Sequence, residues 1–113
     1  MKISEILELE KSNTQKIYLL KEGIFWRCYE LSAMLFTKYI KDFKLIKKYL
    51  KCAGKDVVYM GFPESSLENI LKDAVEKNYV IEDKGDIKKV LSGFPDDNDF
   101  EGWKSEIAVT IAT

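Results

Sequence analysis

The residues best suited to chemistry in this chain stand together at Gly23-Ile24-Phe25-Trp26-Arg27. Two successive aromatic rings beside a guanidinium can stack on a nucleobase or wedge between two bases while the cation meets phosphate. By helical period Phe25 also fits a core position, whereas Trp26 falls off the apolar stripes and is the better candidate for exposure. A second cationic feature follows it. Lys38, Lys41, Lys44, Lys47, Lys48, Lys51 and Lys55 are opposed by Asp42 alone before Asp56. Phosphates facing such a ledge would release counterions on binding. The same lysines would serve equally well to keep exposed strand edges from pairing.

Acid–base and nucleophilic chemistry is poorly provided for. The chain has no histidine, which removes the side chain that most often serves as general acid or base and excludes Ser/His and Cys/His nucleophile systems. Cys28 and Cys52 are too few and too far apart for a metal knuckle, so neither a metal site nor a structural disulfide is expected. Cys28 reads as a small core residue and Cys52 as a free thiol in a turn. Glu22, Glu30, Glu64 and Glu68 could pair as a hydrolase dyad or a magnesium site. Glu64 and Glu68 flank a helix start, where the helix dipole and a capping box account for them. The expectation is no catalytic residue, no cofactor and no metal, hence a binding protein and not an enzyme.

These residues need elements to hold them. At 113 residues, 46% apolar and 33% charged, with a net charge of −1, the composition suits one globular domain. No apolar run is long enough to span a bilayer, and the acids soon after Met1 do not suit a signal peptide, so a cytoplasmic protein is expected. The spacing predicts a short helix over Ile3 to Leu9 and a buried strand over Lys16 to Lys21, ended by Glu22-Gly23. A long helix is predicted from Ile24 to about Lys41, with Ile24, Cys28, Leu31, Leu35 and Tyr39 in one stripe and Phe25, Tyr29, Ser32, Phe36 and Ile40 in the next; Met34 lies on its outer side. Phe43 to Leu50 and Val57 to Met60 read as a hairpin about Cys52-Ala53-Gly54-Lys55.

After Pro63 a second helix is predicted, with Leu67, Ile70, Leu71, Ala74 and Val75 inward, Ser65 and Glu68 as a capping box, and Asn78 as C-cap. Tyr79-Val80-Ile81 reads as a strand. Asp96-Asp97-Asn98-Asp99 would cap a last short helix reaching about Ile107, and residues 108–113 carry no clear pattern.

The order of these pieces carries a resemblance. Gly23-x-Phe25-Trp26 at a corner after the first strand, Ala33 eight residues on, then Tyr59-Met60-Gly61-Phe62-Pro63 leading into Ser66-Leu67-Glu68-Asn69-Ile70-Leu71, resembles the N-terminal mismatch-recognition domain of MutS-type DNA repair proteins. In that family the corner reads Gly-Asp-Phe-Tyr-Glu, and a later strand ends in Met-Ala-Gly-Ile-Pro before a helix with Val-Glu-Asn-Tyr-Leu. The likeness covers roughly Ile3 to Asp83. It implies an α/β (α+β) fold, a mixed β-sheet flanked by helices as in MutS domain I. It also matches Phe25 to the aromatic inserted beside a mispaired base. The family glutamate that hydrogen-bonds this base is matched by Arg27, which cannot accept a hydrogen bond, and the preceding acid by Ile24.

The resulting expectation is a stand-alone domain with a core over residues 1–84 and a C-terminal extension over 85–113 packed on the same domain. Its function is to bind nucleic acid, DNA before RNA, of the kind that recognises distorted or mispaired DNA. Phe25 and Trp26 would contact bases, and Arg27, Lys44, Lys47 and Lys48 would meet phosphate. The alternative is a protein-protein adaptor of the same fold, using exposed Trp26 and Met34 beside Arg27. Neither a membrane nor a small-molecule cofactor is expected as partner.

Overall fold

The first reversal of the chain sets the architecture. In the computed structural model, which describes residues 2–96 and 99–110, helix α1 (Ile3–Lys11) leads into strand β1 (Ile17–Glu22), and Gly23 then adopts a φ of 63°, a left-handed value that costs glycine little. The chain returns at once as strand β2 (Phe25–Tyr29), paired antiparallel with β1 so that Glu22 faces Phe25 and Leu20 faces Arg27. Residues 25–29 are therefore strand, not the first turns of the predicted helix. Helix begins only at α2 (Leu31–Leu35), which continues as a π-helical turn over Phe36–Ile40.

The break between them is Glu30, at φ 51° and ψ −122°. Its carboxylate accepts a hydrogen bond from the Val58 backbone N–H at 2.9 Å and another from the Lys104 ammonium at 2.9 Å. Those bonds hold a backbone conformation that L residues avoid.

Strands β3 (Ile46–Leu50) and β4 (Lys55–Pro63) form the predicted hairpin, with Gly54 at φ 66° in its turn. A 3-10 turn (Glu64–Ser66) precedes α3 (Leu67–Glu76); strands β5 (Val80–Asp83) and β6 (Lys88–Ser92) and helix α4 (Phe100–Ser105) follow. The strands make one sheet in the order β3-β4-β2-β1-β6-β5. An α+β fold with a sheet flanked by helices is as expected, and each of the described pairings is antiparallel, so the sheet is not of mixed direction. Strand β6, absent from the sequence reading, lies inside the sheet between β1 and β5. The expected boundary at residue 84 consequently cuts a hairpin, and the sheet extends through Ser92.

Both faces of the sheet are covered in part. On one, Ile17, Leu19, Trp26, Cys28, Val58, Met60, Phe62 and Leu91 pack against Leu35, Phe36, Ile70 and Ala74. On the other, a smaller cluster of Leu20, Tyr29 and Val57 takes Ile6 of α1. In α3, Leu67, Ile70, Leu71 and Ala74 face inward as predicted, but Val75 is exposed. The Ser65–Glu68 capping box is also not formed: Ser66 is the N-cap residue and makes no side-chain cap bond, because the 3-10 turn already continues the chain into the helix. Asn78 sits just past the helix end at φ 69°.

Asp99 caps α4 through a 3.0 Å bond from the Gly102 N–H, while Asp97 and Asn98, also named as caps, lie outside the described residues, as do residues 111–113. Phe100, Trp103 and Ile107 bring this segment onto the main core. No helix among the described residues is long and apolar enough to cross a membrane.

Candidate nucleic-acid interface

A strand alternates its side chains between two faces, and this decides the fate of each corner residue. Trp26 and Cys28 go inward. Phe25, Arg27 and Tyr29 go to the opposite face. Trp26, expected to be exposed, is 2% exposed and contributes to the core, where Lys89 Nζ lies 5.2 Å from its ring centre. It cannot stack on a base without unfolding the sheet. Met34, named for a protein interface, is likewise buried.

Phe25 is 39% exposed at the hairpin end, beside Ile24 at 70%. The Arg27 guanidinium carbon lies 6.0 Å from the centre of the Phe25 ring and 5.6 Å from that of Tyr59. One of its nitrogens stands 3.5 Å from Glu22 Oε1. The other oxygen of Glu22 accepts a 2.6 Å bond from the Tyr29 hydroxyl. Burial, and then that bond to a carboxylate, push the Tyr29 pKa upward, so it stays a donor at physiological pH.

Gly61 pairs with Arg27 across β2 and β4, and a Cβ there would come within 2.9 Å of Arg27 Cγ and 3.0 Å of the Trp26 carbonyl oxygen. The glycine is what lets the arginine stem lie flat on the sheet. The tip is anchored from below by the Glu64 N–H donating to the Ile24 carbonyl at 2.8 Å, and by a Lys21–Glu64 ion pair at 2.9 Å.

The lysine ledge is not assembled. Lys47, expected to meet phosphate, is 9% exposed, and its ammonium donates to the carbonyl oxygens of Lys104 and Ile107, both at 3.0 Å. It is a cap for the end of α4. Lys48 pairs with Val57, while Phe25 pairs with Pro63, six residues along the same strand. At about 3.3 Å per residue the two lie about 20 Å apart along β4. Lys44 is exposed in the segment before β3. Lys38 and Lys41 lean over the rings of Tyr39 and Phe43, and Lys55 lies 3.7 Å from Glu30. Of the six expected contact residues, then, Phe25 and Arg27 share one surface, Lys44 and Lys48 lie elsewhere, and Trp26 and Lys47 are inside.

Sequence reasoning missed the parts that Gly61, Tyr29 and Tyr59 play, and it considered Glu22 only for a hydrolase dyad or a magnesium site. Gly61 carried a usable signal, since an isolated glycine inside a strand marks a close approach.

A separate cleft of about 540 Å³ lies between α1, the start of α2 and α4, lined by Glu10, Glu30, Asn13 and Lys55 among others. Its two buried carboxylates are spent on structure. Glu10 accepts from the Ser32 N–H at 3.0 Å, the Ser32 hydroxyl at 2.6 Å and the Asn13 amide at 3.2 Å, which tie α1 to α2. Glu30 is occupied as described above. Among the described residues no three His, Cys, Asp or Glu side chains are placed to hold a metal ion, and both cysteines are free thiols, Cys28 buried and Cys52 exposed.

A search of curated proteins and a search of solved structures found no match. The family model for MutS domain I matches residues 3–90, a span that takes in the hairpin tip, the Gly61 approach, α3 and the strands up to the middle of β6. The chain belongs to the MutS domain I family.

Proposed function

We propose that this chain binds DNA without catalysing a reaction on it, presenting the β1–β2 tip to a site where a base is unstacked. The observation that carries this reading is the half-exposed Phe25 ring at a glycine turn, with the Arg27 guanidinium held beside it on the same face. An aromatic side chain at the end of a rigid hairpin stacks on or wedges beside a base at small entropic cost, because its backbone is already fixed. Membership of the MutS domain I family supports the choice of DNA. The absence of histidine and the structural use of Glu10 and Glu30 support a role without catalysis. Family members place a glutamate where Arg27 stands, so this chain would meet distorted DNA through stacking and phosphate attraction.

Fluorescence anisotropy with labelled matched, mismatched and single-stranded DNA at low salt tests the proposal. The wild-type protein binds, and replacing both Phe25 and Arg27 by alanine weakens binding by about tenfold or more, a stacked base being worth about 1–3 kcal/mol. Unchanged affinity in the double variant, with an unchanged melting temperature, would remove the tip as the binding element.

A protein-adaptor reading keeps one supporting observation, the 70% exposed Ile24 at the same tip. It has lost Trp26 and Met34. Under that reading Ile24→Ser abolishes the partner interaction and leaves DNA binding, if any, in place.

A further inference from the structure

Helix α1 covers only part of its side of the sheet, where Ile3, Ile6 and Leu7 pack with Leu20, Tyr29 and Val57. Beyond that contact the face stays open: Arg27, Tyr59, Tyr18 and Lys88 are half-exposed, and Gly61 is exposed. Cross-strand partners share a face, and two rows result. Gly61, Arg27, Leu20 and Lys88 run side by side across β4, β2, β1 and β6. In the next row Tyr59 stands beside Tyr29, and Tyr18 beside Val90. Leu20 and Val90 are buried and form an apolar floor for the half-exposed side chains around them.

Both half-exposed tyrosine rings hold a cation. The Arg27 guanidinium carbon lies 5.6 Å from the centre of the Tyr59 ring, and Lys88 Nζ lies 5.3 Å from that of Tyr18. The carboxylates of this face are already engaged, Glu22 at 3.5 Å from Arg27 and Glu82, opposite Val90, at 2.9 Å from Lys84. Among the described residues no carboxylate pairs with Lys88, so the face keeps positive charge to offer. From β4 to β6 is three strand spacings, about 14 Å. A sheet face of that width, with rings on separate strands and cations beside them, suits two or three splayed bases of a single strand. A duplex keeps its base faces stacked on one another and has no use for such rings.

We propose that the open part of the α1 side of the sheet binds single-stranded DNA, with Tyr59 and Tyr18 each taking the face of a base while Arg27 and Lys88 leave those rings for the phosphates between them. The inference rests on the DNA-binding function proposed above. It adds a second surface, away from the hairpin tip, and two residues, Tyr18 and Lys88, that the tip does not use. Gly61 contributes by its missing side chain, which keeps the β4 end of the row low enough for a strand to enter over the Arg27 stem.

Anisotropy titrations of the full chain against labelled oligothymidylate, a matched duplex and a duplex with one unpaired base, each at several salt concentrations, provide the test. The wild-type protein binds oligothymidylate more tightly than the matched duplex. Tyr18→Leu, which keeps apolar bulk and loses the ring, weakens oligothymidylate binding about fivefold or more, the low end of what a stacked base contributes. Lys88→Ala lowers the slope of log affinity against log salt by about 0.7, the share of one phosphate on a single strand. Both variants bind the duplex with an unpaired base as the wild type does. The comparison of DNA forms uses unaltered protein, so it stands even if a variant folds poorly. Equal wild-type affinity for oligothymidylate and matched duplex, or wild-type behaviour of both variants with melting temperatures intact, overturns the sheet-face site and leaves the tip standing. A dimer in sedimentation that Tyr18→Leu disperses would give the face to a second copy of the chain and overturn the inference as well. Failure to bind any DNA at low salt removes the proposed function itself, and this inference with it.

Discussion

Single residues in this chain are read correctly only once their strand face is known. Phe25 and Arg27, expected to meet DNA, lie together on the exposed face of β2. Trp26, expected to be exposed, falls off the stripe of a helix but points inward from a strand whose neighbours at Phe25 and Arg27 point out. Gly61 follows the same logic from the partner strand. Gly61→Ala should cost about 1–3 kcal/mol in urea unfolding, because one of the atoms the new Cβ meets is backbone and cannot swing away. It should also weaken DNA binding, since the Arg27 stem loses its bed.

Glu10 gives a second prediction at this scale. Burial raises its pKa from 4.5 to about 7, against the lowering effect of its bonds from Ser32 and Asn13. The folded state thus favours the protonated form. Below pH 4.5 the acid is protonated whether or not the chain is folded, and its own contribution to stability is greatest. Between pH 4.5 and 7 the unfolded chain loses the proton first, so stability falls by about 3 kcal/mol in all. Glu10→Gln should flatten that part of the stability–pH curve measured by denaturant unfolding; an unchanged curve would show that the carboxyl titrates normally.

At the scale of elements, the predicted pieces that survived were those with one buried face or a clear turn. Helix α1, strand β1, the β3–β4 hairpin about Gly54 and helix α3 all have such a signature. Strand β2 did not, for a physical reason. Its two faces meet two different clusters, so Trp26, Cys28 and Tyr29 are all buried, and the alternation that identifies a half-buried strand is lost. The apolar residues of α2 then follow directly and lend the whole stretch a helical period. Strand β6 was hidden similarly, with Val90 and Leu91 both buried directly after two lysines.

The C-terminal element shows how a charge that looks free in sequence can be committed in space. Lys47 caps the carbonyls at the end of α4, Lys104 reaches back to Glu30, and the Thr110 N–H donates to the Lys47 carbonyl at 2.7 Å. Lys47→Ala should therefore destabilise the fold by about 1 kcal/mol, since it removes an ammonium that donates to two part-buried carbonyls at the end of α4, and should leave DNA affinity unchanged. A phosphate-binding lysine would show the reverse pattern, lower affinity with stability intact.

For the molecule as a whole, one sheet carries a large cluster on one face and a smaller one on the other, and the end formed by the β1–β2 turn and the close of β4 leaves Ile24 and Phe25 exposed. Rigidity is what this arrangement supplies: the ring at the tip is held by pairing on both sides of β2 and from below by Glu64. The proposed function requires that DNA meet the protein at that end. Backbone amide NMR spectra recorded during titration with DNA containing an unpaired base locate the contact directly. The predicted result is that shifted signals cluster at Gly23, Ile24, Phe25, Arg27, Gly61 and Glu64, with β3 and α4 unmoved. Shifts confined to Lys44, Lys48 and Lys51, with the tip silent, would contradict it.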